Sequence, residues 1–333
     1  MLAFRGRRRP GAPALLGLLV ALAVLAGALL WRPLVEGERA PSGSVAMSTG
    51  VSSGVYARYG QLLRGQLAED APGLEMSLLS SAGSVQNIER LVAGDADFAI
   101  ASADALAAHQ ARDPVGTARL RACARLYDDY LQLVVPADSP VRSTADLEGL
   151  RVGVGQEQSG VIRAARELLA AAGLDMDGDV RAVREGIDNM PRMLEAGRLD
   201  AFFWSGGLPT SAVTRLAMRK DIRLVPLDDL LPALAERGPE AGYYRAAAIP
   251  PDAYPDITGG QTVNTIATAN LLVTTEDTDP DVAEQITRSV INGRDRIGRE
   301  VHAAQRVDLR TAIYTQPLPL HPGARRYYRS VKS

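Results

Sequence analysis

Residues 45–60 read VAMSTGVSSGVYARYG: a short apolar run, a loop of glycines and hydroxyl side chains, and then the opening of a helix. The spacing predicts a strand over 45–49, a loop over 50–54 and a helix over 55–68. In that helix Tyr56, Tyr59, Leu63 and Leu67 recur at intervals of three and four residues, which marks one buried face. Downstream the pattern continues with a strand at 74–79, a small-residue loop at 80–84 and a helix carrying Val85, Ile88 and Val92. Gly94 closes that helix and an apolar strand follows at 98–101. Strands alternating with helices imply a mainly parallel sheet, hence an α/β fold.

The same grammar recurs about a hundred residues later: strand 151–154, loop 155–160, helix 161–172, strand 179–183, helix 188–196 capped by Gly197, and strand 201–204. Ser53-Gly54-Val55 is echoed by Ser159-Gly160-Val161, and Ala93-Gly94 with Asp97 by Ala196-Gly197 with Asp200. A duplicated α/β unit in a chain of 333 residues implies two lobes with a cleft between them. Ligands bind at the carboxyl ends of strands in such sheets. The chain is expected to cross between lobes near 130–139 and to return near 246–255, where apolar runs adjoin prolines.

Composition narrows the function classes. Net charge is −2 with no basic stripe in the body of the chain, which excludes nucleic acid as the expected partner. Cys123 is the single cysteine and lies in an apolar run, so no intrachain disulfide is possible and a buried hydrophobe is expected. His109, His302 and His321 are widely separated, so no metal site is expected, and the absence of a phosphate-binding loop leaves no expected cofactor.

Arg5, Arg7, Arg8 and Arg9 precede an uncharged stretch over 10–31 rich in Leu, Ala and Val, the pattern of an export signal. Its length suits an uncleaved anchor; cleavage after Ala28 would instead give a secreted form. A lipoprotein box is excluded because Ala28 stands where cysteine is required. The expected organisation is an anchor helix over 1–35, a linker over 36–43, lobe 1 over 44–133, lobe 2 over 134–247 and a return to lobe 1 over 248–333. The folded part lies at the extracytoplasmic face of the membrane.

Gly50-Val51-Ser52-Ser53-Gly54 satisfies G-x-S-x-G, so a membrane-anchored serine hydrolase using Ser52 is one reading. That reading lacks an earlier strand to supply an oxyanion donor. The other reading places the loops at 50–54, 83–84 and 159–160 at helix N-termini that face the cleft and hold an anion through backbone amides.

Several motifs resemble the TAXI branch of TRAP-transporter solute receptors, over about 45–329. They are Thr49-Gly50 with Gly54-Val55-Tyr56; Gly83-Ser84-Val85-Gln86-Asn87; Ala93-Gly94-Asp95-Ala96-Asp97; and Leu131-Gln132-Leu133-Val134-Val135-Pro136. Further on stand Ser143-Thr144-Ala145-Asp146-Leu147 with Gly149, Asp200-Ala201-Phe202-Phe203 with Gly207 and Pro209, and Pro319-Leu320-His321-Pro322-Gly323-Ala324 with Tyr327-Tyr328. The resemblance implies a type II periplasmic-binding-protein-like fold, no catalysis, and delivery of a small organic anion to a TRAP-type membrane permease. That anion would be a dicarboxylate, a 2-oxoacid or an acidic amino acid. It further implies a pocket built from Thr49, Gly50, Ser53, Tyr56, Ser84, Asn87, Ser102, Asp104, Tyr130, Ser159, Trp204 and Gly206. This chain departs from the family at Val51-Ser52-Ser53 and at Gln158-Ser159-Gly160-Val161, which leaves the ligand open. A ligand-sensing ectodomain without transport is the alternative within binding proteins. His321, in the last motif, is expected to shape a packed turn.

Overall fold

The computed structural model describes residues 41–332 except 302, 303, 305 and 306. The expected anchor at 1–35 lies outside the described residues, as do His302 and all but the last three residues of the expected linker. Among the described residues no helix is long and apolar enough to cross a membrane.

The alternating order holds through both halves. Strand β1 (Gly43–Ser48) leads through a loop to α1 (Val55–Asp70), β2 (Leu74–Leu79), α2 (Ser84–Ala93) and β3 (Phe98–Ser102). Helix α3 (Ala103–Arg112) follows β3 directly and leads to β4 (Leu120–Pro136). The second unit runs β5 (Arg151–Gly153), α4 (Gly160–Ala171), β6 (Arg181–Val183), α5 (Met190–Glu195) and β7 (Ala201–Gly206). After α6 (Ser211–Ala217) and β8 (Ile222–Val225) the chain forms β9 (Arg245–Ile249) and β10 (Val263–Thr275). It ends in α7 (Pro280–Asn292), α8 (Arg294–Glu300) and α9 (Pro322–Ser330).

Within each unit the strands are parallel: β1 pairs with β2 and β3, and β5 with β6 and β7. The long strands β4 and β10 join the two sets into one sheet of order β2-β1-β3-β10-β4-β7-β5-β6. Residues 120–130 of β4 pair with β10, whereas 130–134 pair with β7. Strand β10 pairs with β9 over 263–267 and with β3 over 270–273. Each long strand therefore passes from one unit to the other. The return passage differs from the expectation at 246–255, because β9 ends against the first half of β10 and β10 itself carries the chain across. An apolar run beside prolines marks a strand end, not a crossing.

The repeated glycine and aspartate have the same local job twice. Gly94 and Gly197 end α2 and α5 at φ 81° and 66°, where a Cβ would be strained. Three residues on, Asp97 accepts a hydrogen bond from the Ala46 amide at 2.7 Å and Asp200 from the Arg151 amide at 2.8 Å. Each ties the start of a strand to the edge of its neighbour. Asp200 also binds the Arg151 guanidinium, at 2.6 Å to Nη2, and that bond holds its carboxyl below the usual carboxylate range. A depressed acid stabilises the fold above its unfolded value near 4 and loses that contribution as pH falls through the folded value. Asp200→Ala is expected to cost about 1 kcal/mol at pH 7, with the gap from wild type closing in denaturation curves taken below about pH 4.

Each unit has its own core. Tyr59, Leu63 and Leu67 on α1 pack with Phe98, Ile286 and Val290. On the other side Val152, Ala165, Leu168, Leu169 and Phe203 pack together. Cys123 is fully buried and its thiol is pushed up to about 12 by burial, so it is inert at neutral pH. His321 is also buried; its Nδ1 accepts the Gly323 amide at 3.1 Å and its own amide donates to Ala122 at 2.8 Å. It thus shapes the turn that seats α9 beside β4.

Candidate functional site

The N-termini of α1, α2 and α4 converge on one cavity at the carboxyl ends of the strands. Its volume is about 60 Å³. The first-turn amides of a helix have no partner inside the helix, and the peptide dipoles leave that end partly positive. Helices of 16, 10 and 12 residues are long enough to present such an end.

Of the residues singled out from sequence, the cavity brings together Gly50, Tyr56, Ser84 and Ser102 from the first unit and Ser159, Trp204 and Gly206 from the second. Tyr56 sits on the same helical stripe as Tyr59 and Leu63, yet it turns to the cleft. Its hydroxyl lies 3.1 Å from Ser84 Oγ and donates to Asn270 Oδ1. Ser84 Oγ accepts the Ser102 amide at 3.1 Å. Ser159 caps α4 by accepting the Ile162 amide at 3.2 Å and donates to the Gln156 carbonyl at 2.6 Å. Trp204 donates through Nε1 to Thr210 at 3.0 Å, which fixes its ring as a wall.

Five expected residues lie off the lining. Thr49 is buried and donates to the Leu79 carbonyl at 3.0 Å. Asn87 spends its side chain inside the first unit: it accepts from Ser48 and donates to the Thr49 and Ile100 carbonyls, all within 2.7 Å. Asp104 is buried, accepting from Tyr244 at 2.9 Å and Thr268 at 3.1 Å, with Arg163 at 3.7 Å. Tyr130 packs in an apolar cluster of the second unit. Ser53 is exposed and donates to Asp188 across the cleft. It is not the counterpart of Ser159, because α1 starts one residue later in the echo and Gly54 takes the capping position.

Asp129 was not among the expected residues. It is 4% exposed, lines the cavity, and its Oδ1 has no hydrogen-bond partner. Burial pushes its carboxyl up to about 7. Hydrogen bonding to Asn270 opposes that shift, Asp104 and Asp128 add to it, and Ser205 opposes it. An acid inside the apolar run 126–135 was the available signal, since such a group is rarely buried without purpose. Asp128 and Asp129 are adjacent, however, and only one faces the cleft. Asp128 faces the other way and pairs with Arg125 and Arg245.

The lips of the cavity are bonded across. The Gln86 amide donates to the Gln158 carbonyl at 3.1 Å, Gln156 Nε2 to the Ala82 carbonyl at 3.1 Å, and Gln158 Nε2 to Glu89 at 3.0 Å. Gly83, at φ 134°, lies so close that a Cβ there would stand 3.4 Å from Ser159 Cα. This is the arrangement of a closed cleft.

The hydrolase reading meets different geometry. Ser52 is exposed and off the cavity lining. His109 Nδ1 is 2.9 Å from Arg112 Nη2, and His321 is committed to its turn. Among the described residues no group of His, Cys, Asp and Glu could hold a metal ion.

Two α/β units joined through two long shared strands, with helix N-termini converging between them, define a two-lobed protein of the periplasmic-binding-protein-like class. The chain belongs to the NMT1-like family, whose profile matches residues 47–331. Among solved structures it is similar to a protein of Bordetella bronchiseptica RB50, at 19% identity over 86% of this chain and 84% of that one, with a TM-score of 0.52. It is also similar to the periplasmic aliphatic sulphonate binding protein SsuA of Escherichia coli, at 14% identity over 87% of this chain and 83% of that one, with a TM-score of 0.49. At these identities the likeness concerns the fold.

Proposed function

We propose that this chain is an extracytoplasmic solute-binding receptor that closes over a small carboxylate-bearing solute and delivers it to a TRAP-type membrane permease, as a member of the TAXI branch. The observation that carries this reading is a cavity where three helix N-termini from both units meet, with lips hydrogen-bonded across it. Anions are favoured at such ends by free amides and by the aligned dipoles. A volume of about 60 Å³ leaves room for a few water molecules at roughly 10–15 Å³ each, which suits a small solute.

In this reading lobe 1 holds the chain up to the middle of β4 and from the middle of β10 onward, and lobe 2 holds what lies between. Bending of those two strands opens the cleft, and the solute favours the closed form by touching both lobes only there. An N-terminal anchor keeps the receptor near its permease and raises its effective concentration.

The test is thermal unfolding of the full-length protein, purified in detergent and stripped by unfolding and refolding. It is run against dicarboxylates, 2-oxoacids, amino acids and neutral sugars. A solute at a hundred times its Kd is expected to add about 2.7 kcal/mol, seen as a clear rise in Tm. A protein unmoved by every carboxylate would not be a receptor for them.

A further inference from the structure

The cavity lining contains one charged side chain, Asp129, and neither lysine, arginine nor histidine. For a site that holds a plain anion this is the wrong sign. Three helix ends supply partial positive charge, but a buried carboxylate among them opposes a second one brought by the solute. A carboxylate removed from water with an unpartnered oxygen is costly unless something pairs with it.

The surrounding groups supply neutral hydrogen-bonding neighbours, Asn270 and Ser205, but no cation to pair with it. Asp104 on α3 and Asp128 on β4 are acids, already engaged with Arg163 and Tyr244 in the first case and with Arg125 and Arg245 in the second. Tyr56 on α1 and Tyr127 on β4 have hydroxyls raised well above the usual phenol range, first by burial and then by Asp129, so they stay neutral. Asn270 on β10 accepts from Tyr56 at its carbonyl oxygen, and its neutral side-chain amide stands beside Asp129 and lowers the carboxyl only in part. Ser205 on β7 lines the cavity beside Asp129.

We propose that Asp129 is a subsite for a protonated nitrogen, so that the solute is a zwitterion of the amino-acid kind, with its ammonium on Asp129 and its carboxylate at the helix N-termini. This rests on the receptor reading and narrows it, away from dicarboxylates and 2-oxoacids that lack an amine. Charges of both signs then meet complementary groups, and the unpartnered oxygen gains a charge-assisted hydrogen bond. An empty site holds Asp129 partly protonated near neutrality. Arrival of an ammonium therefore displaces a proton, and affinity falls as pH drops below about 7.

Matched pairs test this on the stripped full-length protein: L-glutamate with glutarate, L-aspartate with succinate, and L-alanine with propionate, titrated calorimetrically at pH 8 and pH 5.5. The expected result is that the amine-bearing member of a binding pair is at least about tenfold tighter at pH 8, with the advantage shrinking at pH 5.5. Asp129→Asn is expected to abolish the advantage while leaving the amine-free acid bound as well or better. Equal or tighter binding of the amine-free acids to wild type, strengthening on acidification, overturns the proposal and leaves the receptor reading standing. No binding by any acid of either kind overturns both. The wild-type comparison decides the matter even if the Asn variant fails to fold.

Discussion

Gly160→Leu is expected to weaken solute binding by roughly 5- to 150-fold without destabilising the protein. Gly160 is the first residue of α4, and a Cβ built on it would stand 3.2 Å from Ser84 Oγ and 3.6 Å from Ser102 Oγ, both on the opposite unit. Leucine's remaining carbons must then fill the cavity or hold the lips apart. Overpacking of this kind costs about 1–3 kcal/mol, and here the cost falls on the closed form alone, so it appears in Kd. The open protein is spared, because leucine is a better helix residue than glycine. Calorimetry with whichever solute gives the largest Tm rise in wild type, beside a denaturation curve of the variant, checks both halves. A Kd within twofold of wild type would place the solute elsewhere.

Phe202→Ala is expected to cost about 3–5 kcal/mol of folding stability, a large part of the 5–15 kcal/mol that holds a typical domain together. Phe202 is fully buried on β7 and packs with Val134, Met190 and Leu199. The neighbouring strand carries Gly153, where a Cβ would come within 2.8 Å of Phe202 Cβ and 2.6 Å of Met190 Sδ. Gly153 has no side chain to move into the space left by the ring, so the cavity term adds to the lost transfer energy. The urea midpoint is the readout. A loss under about 1 kcal/mol would mean that Phe202 does not sit in a packed core.

The local elements of both units were legible because their boundaries are set by short-range chemistry. Gly94 and Gly197 must occupy a left-handed conformation, and apolar residues at helical spacing must share a face. The long strands were not legible as such: β4 runs through an apolar stretch interrupted by Asp128 and Asp129, and nothing local says that one strand serves two units. The placement of the off-cavity residues was not legible for a related reason. Asn87 and Thr49 are polar residues near the cleft in sequence, yet their hydrogen bonds are consumed in joining β1, β2 and β3 to α2. Sequence shows that a polar group must be satisfied and not by what.

From the sequence by itself came the doubled strand-helix order, the loops that stand at the carboxyl ends of the strands, and the helix N-termini those loops lead into. Periodicity and backbone chemistry act over a few residues and leave their mark there. What only the tertiary structure decided was which side chains meet across the cleft, and above all which of two adjacent aspartates faces it. Neighbours on a strand point to opposite faces, and the face is set by the pairing of β4 with β10 and β7, strands about 75 to 140 residues away.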